Sequence, residues 1–250
     1  MNALSPAELL NVWERGQGRS LPEQALLLLA AACPGQTADR LGELSLGQRD
    51  ARLLALREST FGSQLVSLTT CPECREKLEL TLAIADIHSP ALEPAAEGED
   101  IEPLSLTVDG YEVQFRLPNS QDLVAVAESG DAAAGRRLLL ESCLLAARLG
   151  DEDKSAGELP TDLVESLTAR MAQADPQANV WLNLACPSCG HRWQAPFDIA
   201  SFLWRELNFW AERTLQQVHS LALAYGWTEA DILALSPWRR QYYLNLAGGA

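Results

Sequence analysis

Cys71-Pro72-Glu73-Cys74 and Cys186-Pro187-Ser188-Cys189 are two copies of one pattern, Cys-Pro-x-Cys. A two-residue spacer in a tight turn aims both thiolates of a pair at one point, and two such turns supply four sulfurs in a tetrahedron. Proline after the first cysteine presets φ for the turn. Gly190, directly after the second pair, can take the positive φ that ends such a knuckle. The alternating run Lys77-Leu78-Glu79-Leu80-Thr81-Leu82 follows the first pair, and Val180-Trp181-Leu182-Asn183-Leu184 precedes the second. Period-two alternation predicts strands, so each pair is expected at the tip of a β-hairpin. Two such tips sharing one ion make a zinc ribbon, with Cys71, Cys74, Cys186 and Cys189 as ligands of a structural Zn2+.

The ribbon is split. More than 100 residues separate Cys74 from Cys186, against about 15–20 in common zinc ribbons. Closure entropy grows only logarithmically with loop length, so a self-folding insertion makes this tolerable. Two readings stay beside the zinc one: iron of the rubredoxin type, which accepts the same four thiolates, and two unconnected turns, each completing a dimeric site. Cys33, at the end of an apolar helix, and Cys143, within Leu138–Leu145, read as buried small hydrophobes.

Outward from the pairs, the expected class is α+β and mainly helical. Residues 1–62 form an N-terminal helical region, residues 63–85 and 178–198 the split ribbon, residues 86–177 an inserted α+β region, and residues 199–250 a helical C-terminal tail. Ser5-Pro6-Ala7-Glu8 and Ser45-Leu46-Gly47-Gln48 are capping boxes that open helices. Another helix opens at Leu21-Pro22-Glu23-Gln24 and stops at Pro34-Gly35. Residues 86–103, with Pro90, Pro94, Pro103 and six carboxylates, read as a solvated acidic linker. Residues 104–117 read as a hairpin turning at Asp109-Gly110. Residues 120–149 are expected to be helical with a break at Gly130-Asp131, residues 150–157 a loop, and residues 161–174 a helix. In the tail, Phe202, Leu203, Leu207, Trp210, Leu215 and Val218 recur at helical spacing. Tyr225-Gly226-Trp227 breaks that helix, and Thr228 and Ser236 start two more.

Composition narrows the function. The 250 residues carry 19 Lys+Arg and 34 Asp+Glu, a formal net charge of −15. That balance argues against a broad phosphate-binding surface and against docking on an anionic membrane. The longest apolar run, Ala25–Cys33, has nine residues, while a membrane-spanning helix needs about 20. The N-terminus lacks the positive segment of a secretory signal, so the expected compartment is the cytoplasm, where thiols stay reduced. A four-sulfur site is coordinatively closed to substrate. His88, His191 and His219 have no nucleophile or carboxylate at motif spacing, so no catalytic residues are assigned and the chain is read as no enzyme. The remaining classes are a protein-assembly factor and, as the alternative, a zinc-ribbon protein that binds nucleic acid or a transcription complex. Arg239-Arg240, with Trp238, Tyr242 and Tyr243, is the basic cluster. Trp227, Trp238, Arg239, Arg240 and Tyr243 are the candidate partner-binding set, because Trp, Tyr and Arg anchor interfaces.

Three motifs point to a family. Leu56-Arg57-Glu58-Ser59-Thr60-Phe61-Gly62 runs into a Cys-Pro-x-Cys pair, Asp175-Pro176 precedes the second pair, and Tyr225-Gly226-Trp227-Thr228-Glu229-Ala230-Asp231 opens a closing run through Pro237 to Arg239-Arg240 and Tyr243. Together they resemble small baseplate proteins of contractile phage tails and phage-like injection systems, most closely the T-even-type baseplate hub assembly chaperone family. The resemblance runs from residue 45 on, and the tail motif carries most of it. Phage members can lack the cysteine pairs. The resemblance implies a non-enzymatic role in building or completing a baseplate, with hub or wedge subunits as partners and a place in the cytoplasm or in the finished tail-like particle.

Overall fold

The computed structural model describes residues 2–88 and 103–248. The N-terminal helices begin where their side chains satisfy the free amides of the first turn. α1 (Pro6–Arg15), α2 (Leu21–Ala32) and α4 (Leu46–Phe61) each start with a reciprocal capping box, from Ser5 with Glu8, Ser20 with Glu23, and Ser45 with Gln48. α3 (Ala38–Glu43), a short helix capped by Thr37, was not anticipated from the sequence. Gly62 ends α4 at φ 91° and ψ 179°, a conformation open only to glycine.

β1 (Gln64–Thr70) and β2 (Lys77–Ala83) form an antiparallel hairpin, followed by the single turn α5 (Ile84–Ile87). Most of the expected acidic linker, residues 89–102, lies outside the described residues, and His88 before it is exposed. β3 (Leu104–Val108) and β4 (Tyr111–Phe115) make the second hairpin. Its turn has positive φ at both Asp109 (50°) and Gly110 (82°), as a type I′ turn requires. α6 (Ser120–Glu128) and α7 (Ala132–Cys143) follow, separated at Gly130.

The chain departs here from the helix expected through residue 149. Leu144–Leu149 is a strand, β5, paired with β4, and β6 (Glu152–Asp153) completes a four-stranded antiparallel sheet. A short apolar run such as Leu144-Leu145-Ala146-Ala147 fits either period, and the free edge of β4 settles it. α8 (Thr161–Ala174) covers this sheet, burying Leu163 and Leu167 against Val113, Phe115 and Ala147. β7 (Val180–Ala185) and β8 (Arg192–Phe197) form the last hairpin. α9 (Ile199–Tyr225), α10 (Glu229–Leu233) and α11 (Pro237–Gly248) end the chain. The protein is thus α+β and mainly helical, with small antiparallel sheets.

α9 organises the helical part. Its first half buries Ile199, Phe202, Leu203 and Leu207 among Leu28, Leu29, Leu53 and Leu54 of α2 and α4. The Trp204 indole packs against Gly16, where an added Cβ would sit 2.2 Å from it. Its second half carries Ala211, Val218 and Leu221, which pack with Leu10 of α1 and with Ile232 and Leu233 of α10. The two ends of the polypeptide share these cores. Arg57 fastens α4 to α9, donating to Glu206 through Nε (3.0 Å) and Nη2 (2.8 Å) and to the Gly62 carbonyl through Nη1. The motif residues Arg57 and Gly62 therefore act together at one helix junction.

Candidate metal centre

Both cysteine pairs sit at hairpin tips, and the two turns repeat the same backbone bonds. The Cys71 N–H donates to the Glu76 carbonyl (2.9 Å) and the Arg75 N–H to the Cys71 carbonyl (3.0 Å). In the second turn the Cys186 N–H donates to His191 (2.9 Å) and the Gly190 N–H to Cys186 (2.9 Å). The residue after each pair is left-handed, Gly190 at φ 75° as its sequence position suggested and Arg75 at φ 64°.

The structure brings the tips together across the insertion. Cys71 Sγ lies 3.7 Å from Cys189 Sγ, and Cys74 Sγ lies 3.6 Å from Cys186 Sγ. All four sulfurs lie within 4.8 Å of one another. A tetrahedron with metal–sulfur bonds of about 2.3 Å has edges of about 3.8 Å, so four thiolates in this arrangement fit one four-coordinate ion. Cys71 and Cys186 are buried against Leu78, with Trp193 packed on the cluster, while Cys74 and Cys189 face solvent. His191 stacks on Trp193 at 5.8 Å and stands outside the sulfur cluster.

The electrostatics suit a cation. Burial raises the Cys186 thiol, but the Cys189 and Ser188 amides and the sulfurs of Cys74 and Cys189 outweigh it and hold Cys186 at about 7. The Glu76 amide favours the Cys74 thiolate, yet burial and the three neighbouring sulfurs outweigh that and push Cys74 up to about 12. Four adjacent thiols resist ionising together, and a dication removes that resistance by releasing their protons.

A buried polar cluster joins the start of α4 to the segment ahead of β7. Asp175, just before β7, is 2 % exposed, and its Oδ2 accepts from the Gly47 N–H at the start of α4 (2.8 Å). Arg49 on the next turn of backbone donates to Asp50 through Nε (2.8 Å) and Nη2 (2.7 Å). Burial, opposed by Arg49 and reinforced by Asp198 and Asp175, pushes the Asp50 carboxyl up to about 6. Sequence reasoning missed this network. Its sequence traces are Asp175-Pro176, noted for preceding the second cysteine pair, and the capping box that contains Gly47, and neither points to the other.

The network carries a pH signature. The folded chain holds the Asp50 proton more tightly than the unfolded chain, where an aspartate titrates near 3.9. Stability from this group is therefore full below about pH 4 and is lost as pH rises through about 6. Asp50→Asn removes that dependence. In urea titrations between pH 5 and 7.5, the variant is expected to gain about 1 kcal/mol relative to the parent as pH rises.

The candidate partner residues separate into two groups. Trp227 stacks on Tyr225 (4.7 Å) and meets the edge of Tyr243 (4.9 Å), and Arg240 is 3 % exposed, so these three belong to the packing of α9, α10 and α11. Trp238 is 75 % exposed and Arg239 is exposed. Cys143 is buried away from the cluster, and burial pushes its thiol up to about 11, as befits a packing residue. His219 is exposed on α9. No helix among the described residues is long and apolar enough to cross a membrane.

Fold and site define a class: a mainly helical α+β protein whose distant segments meet at four convergent thiols able to hold a metal ion. Residues 8–204 match the family model of the T4 bacteriophage base plate protein, so the chain belongs to that family and is a phage baseplate protein. The match begins well ahead of residue 45, where the resemblance seen in the sequence started, and stops within α9, before the Tyr225–Pro237 motif that weighed most in it. No curated protein and no solved structure matches the chain.

Proposed function

We propose that the protein is a non-enzymatic assembly or structural factor of a contractile tail or tail-like injection system, of the hub assembly chaperone type. In this reading zinc joins the two hairpins, and the C-terminal helices bind hub or other baseplate subunits. The observation that carries it is the family match over residues 8–204. The thiol geometry supports the zinc, since the cross-pair sulfur distances of 3.6 and 3.7 Å suit a closed tetrahedral site. Such a site organises the chain without offering a position to substrate, in keeping with a role that is not catalytic. A net charge of −15 keeps an unassembled factor soluble and monomeric.

Deleting the gene from a host that produces the particle tests the reading. Electron microscopy is expected to show tails or sheaths without complete baseplates, restored by the intact gene in trans. Normal particles from the deletion strain would overturn the assignment.

A further inference from the structure

The outward face of α11 is an unpaired apolar stripe. Trp238 (75 % exposed), Tyr242 (53 %) and Leu246 (55 %) stand four residues apart, one above the other on a helix. Trp238 and Tyr242 are already stacked, at 5.6 Å and 19° between planes, so the surface is pre-ordered. The sequence placed Tyr242 in the basic cluster but outside the candidate partner set, and the structure adds it and Leu246 by placing them on the same face as Trp238.

The charge of this end is equally particular. α11 carries Arg239 and Arg240 and no carboxylate, in a chain whose net charge is −15. Arg239 is exposed beside the stripe. Arg240, behind it, is 3 % exposed, and its Nε and Nη1 have no hydrogen-bond partner. The charged group facing Arg240 is another guanidinium, Arg213 of α9, which together with burial drives the Arg240 pKa down. Unpaired buried charge is costly, and among the described residues no carboxylate forms an ion pair with Arg240. The positive charge is local to α11, since Glu229 and Asp231 stand on α10, and at the exposed Arg239 it is available to an incoming surface.

We infer that the Trp238–Tyr242–Leu246 face of α11 docks into an apolar groove of another baseplate subunit whose rim carries carboxylates. The apolar stripe supplies the anchors, in the manner of a helix laid in a groove. Arg239, with the field of Arg240 and Arg213, selects an acidic rim and speeds encounter. A second copy of this chain and a nucleic acid are the competing occupants. The inference rests on the assembly role proposed above and names the chemistry of its partner.

The test uses the full chain in the deletion strain. A photo-cross-linking amino acid at position 242, with the cross-linked peptide identified by mass spectrometry, is expected to capture a baseplate subunit through a segment rich in apolar residues and Asp or Glu. Trp238→Ala and Arg239→Glu are each expected to lower the yield of complete particles about tenfold or more, with circular dichroism and metal content of the purified variants unchanged. Arg240→Met removes a buried unpaired charge. It is expected to raise the melting temperature while lowering particle yield, a combination that a purely structural arginine would not give. Capture of a second copy, of nucleic acid, or of a segment without carboxylates would overturn the inference, as would full particle yield from both Trp238→Ala and Arg239→Glu. Normal particles from the deletion strain itself would instead remove the assembly role on which it rests.

Discussion

Cys71→Ser combined with Cys186→Ser is expected to leave a chain that neither binds metal nor folds cooperatively. Together the two changes take one buried sulfur from each hairpin tip, and the two tips are more than 110 residues apart along the chain. Structural zinc in small domains contributes about 10–16 kcal/mol of apparent free energy at pH 7, comparable to or larger than the ~5–15 kcal/mol net stability of a domain. Even with a helical core that forms by other means, loss of the ion frees both hairpins and the segments they anchor. Treating the parent protein with a chelator under mild denaturant should produce the same state, and adding zinc should reverse it. The readouts are far-ultraviolet circular dichroism and the urea midpoint. A double variant that keeps the parent's midpoint would show that the hairpins are held by something other than an ion.

Gly47→Ala is expected to lose on the order of 3 kcal/mol or more, through overpacking and a broken buried hydrogen bond. A Cβ at this position would lie 1.9 Å from Asp175 Oδ1, 2.7 Å from its Cγ and 3.0 Å from the Ala178 backbone nitrogen. Neither the buried carboxylate nor the backbone can yield without parting the Gly47 N–H from Asp175. Because Asp175 leads directly into β7, the damage should reach the second cysteine pair and weaken metal retention as well. Gly157→Ala, where nothing lies within 4 Å of the added carbon, is the control and should change little. A Gly47→Ala protein as stable as this control would mean that the start of α4 is not packed on Asp175.

These two sites differ in how far they could be read from the chain. The cysteine pairs announce themselves because each turn is local: the spacer, the proline and the flanking alternation lie within about a dozen residues. The capping boxes at Ser5 and Ser45 and the Asp109-Gly110 turn are visible for the same reason. The Gly47–Asp175 bond spans 128 residues and has no local pattern. The Arg57–Glu206 pair spans 149, and Arg57 alone reads as one more charged residue on a helix. Leu144–Leu149 became a strand because β4 offered an edge, a fact of tertiary structure that six residues cannot contain. In α11 the sequence supplied Trp238 and the arginines. Only the packing of the helix on α9 shows that Arg240 and Tyr243 turn inward while Trp238, Tyr242 and Leu246 remain outside.

X-ray absorption at the zinc edge, on protein purified without added metal, probes the four-thiol clasp itself. The expected result is about one zinc per chain, with a shell of four sulfurs at about 2.3 Å and no nitrogen or oxygen ligand. A protein free of stoichiometric metal, or one whose metal lacks that sulfur shell, would contradict it.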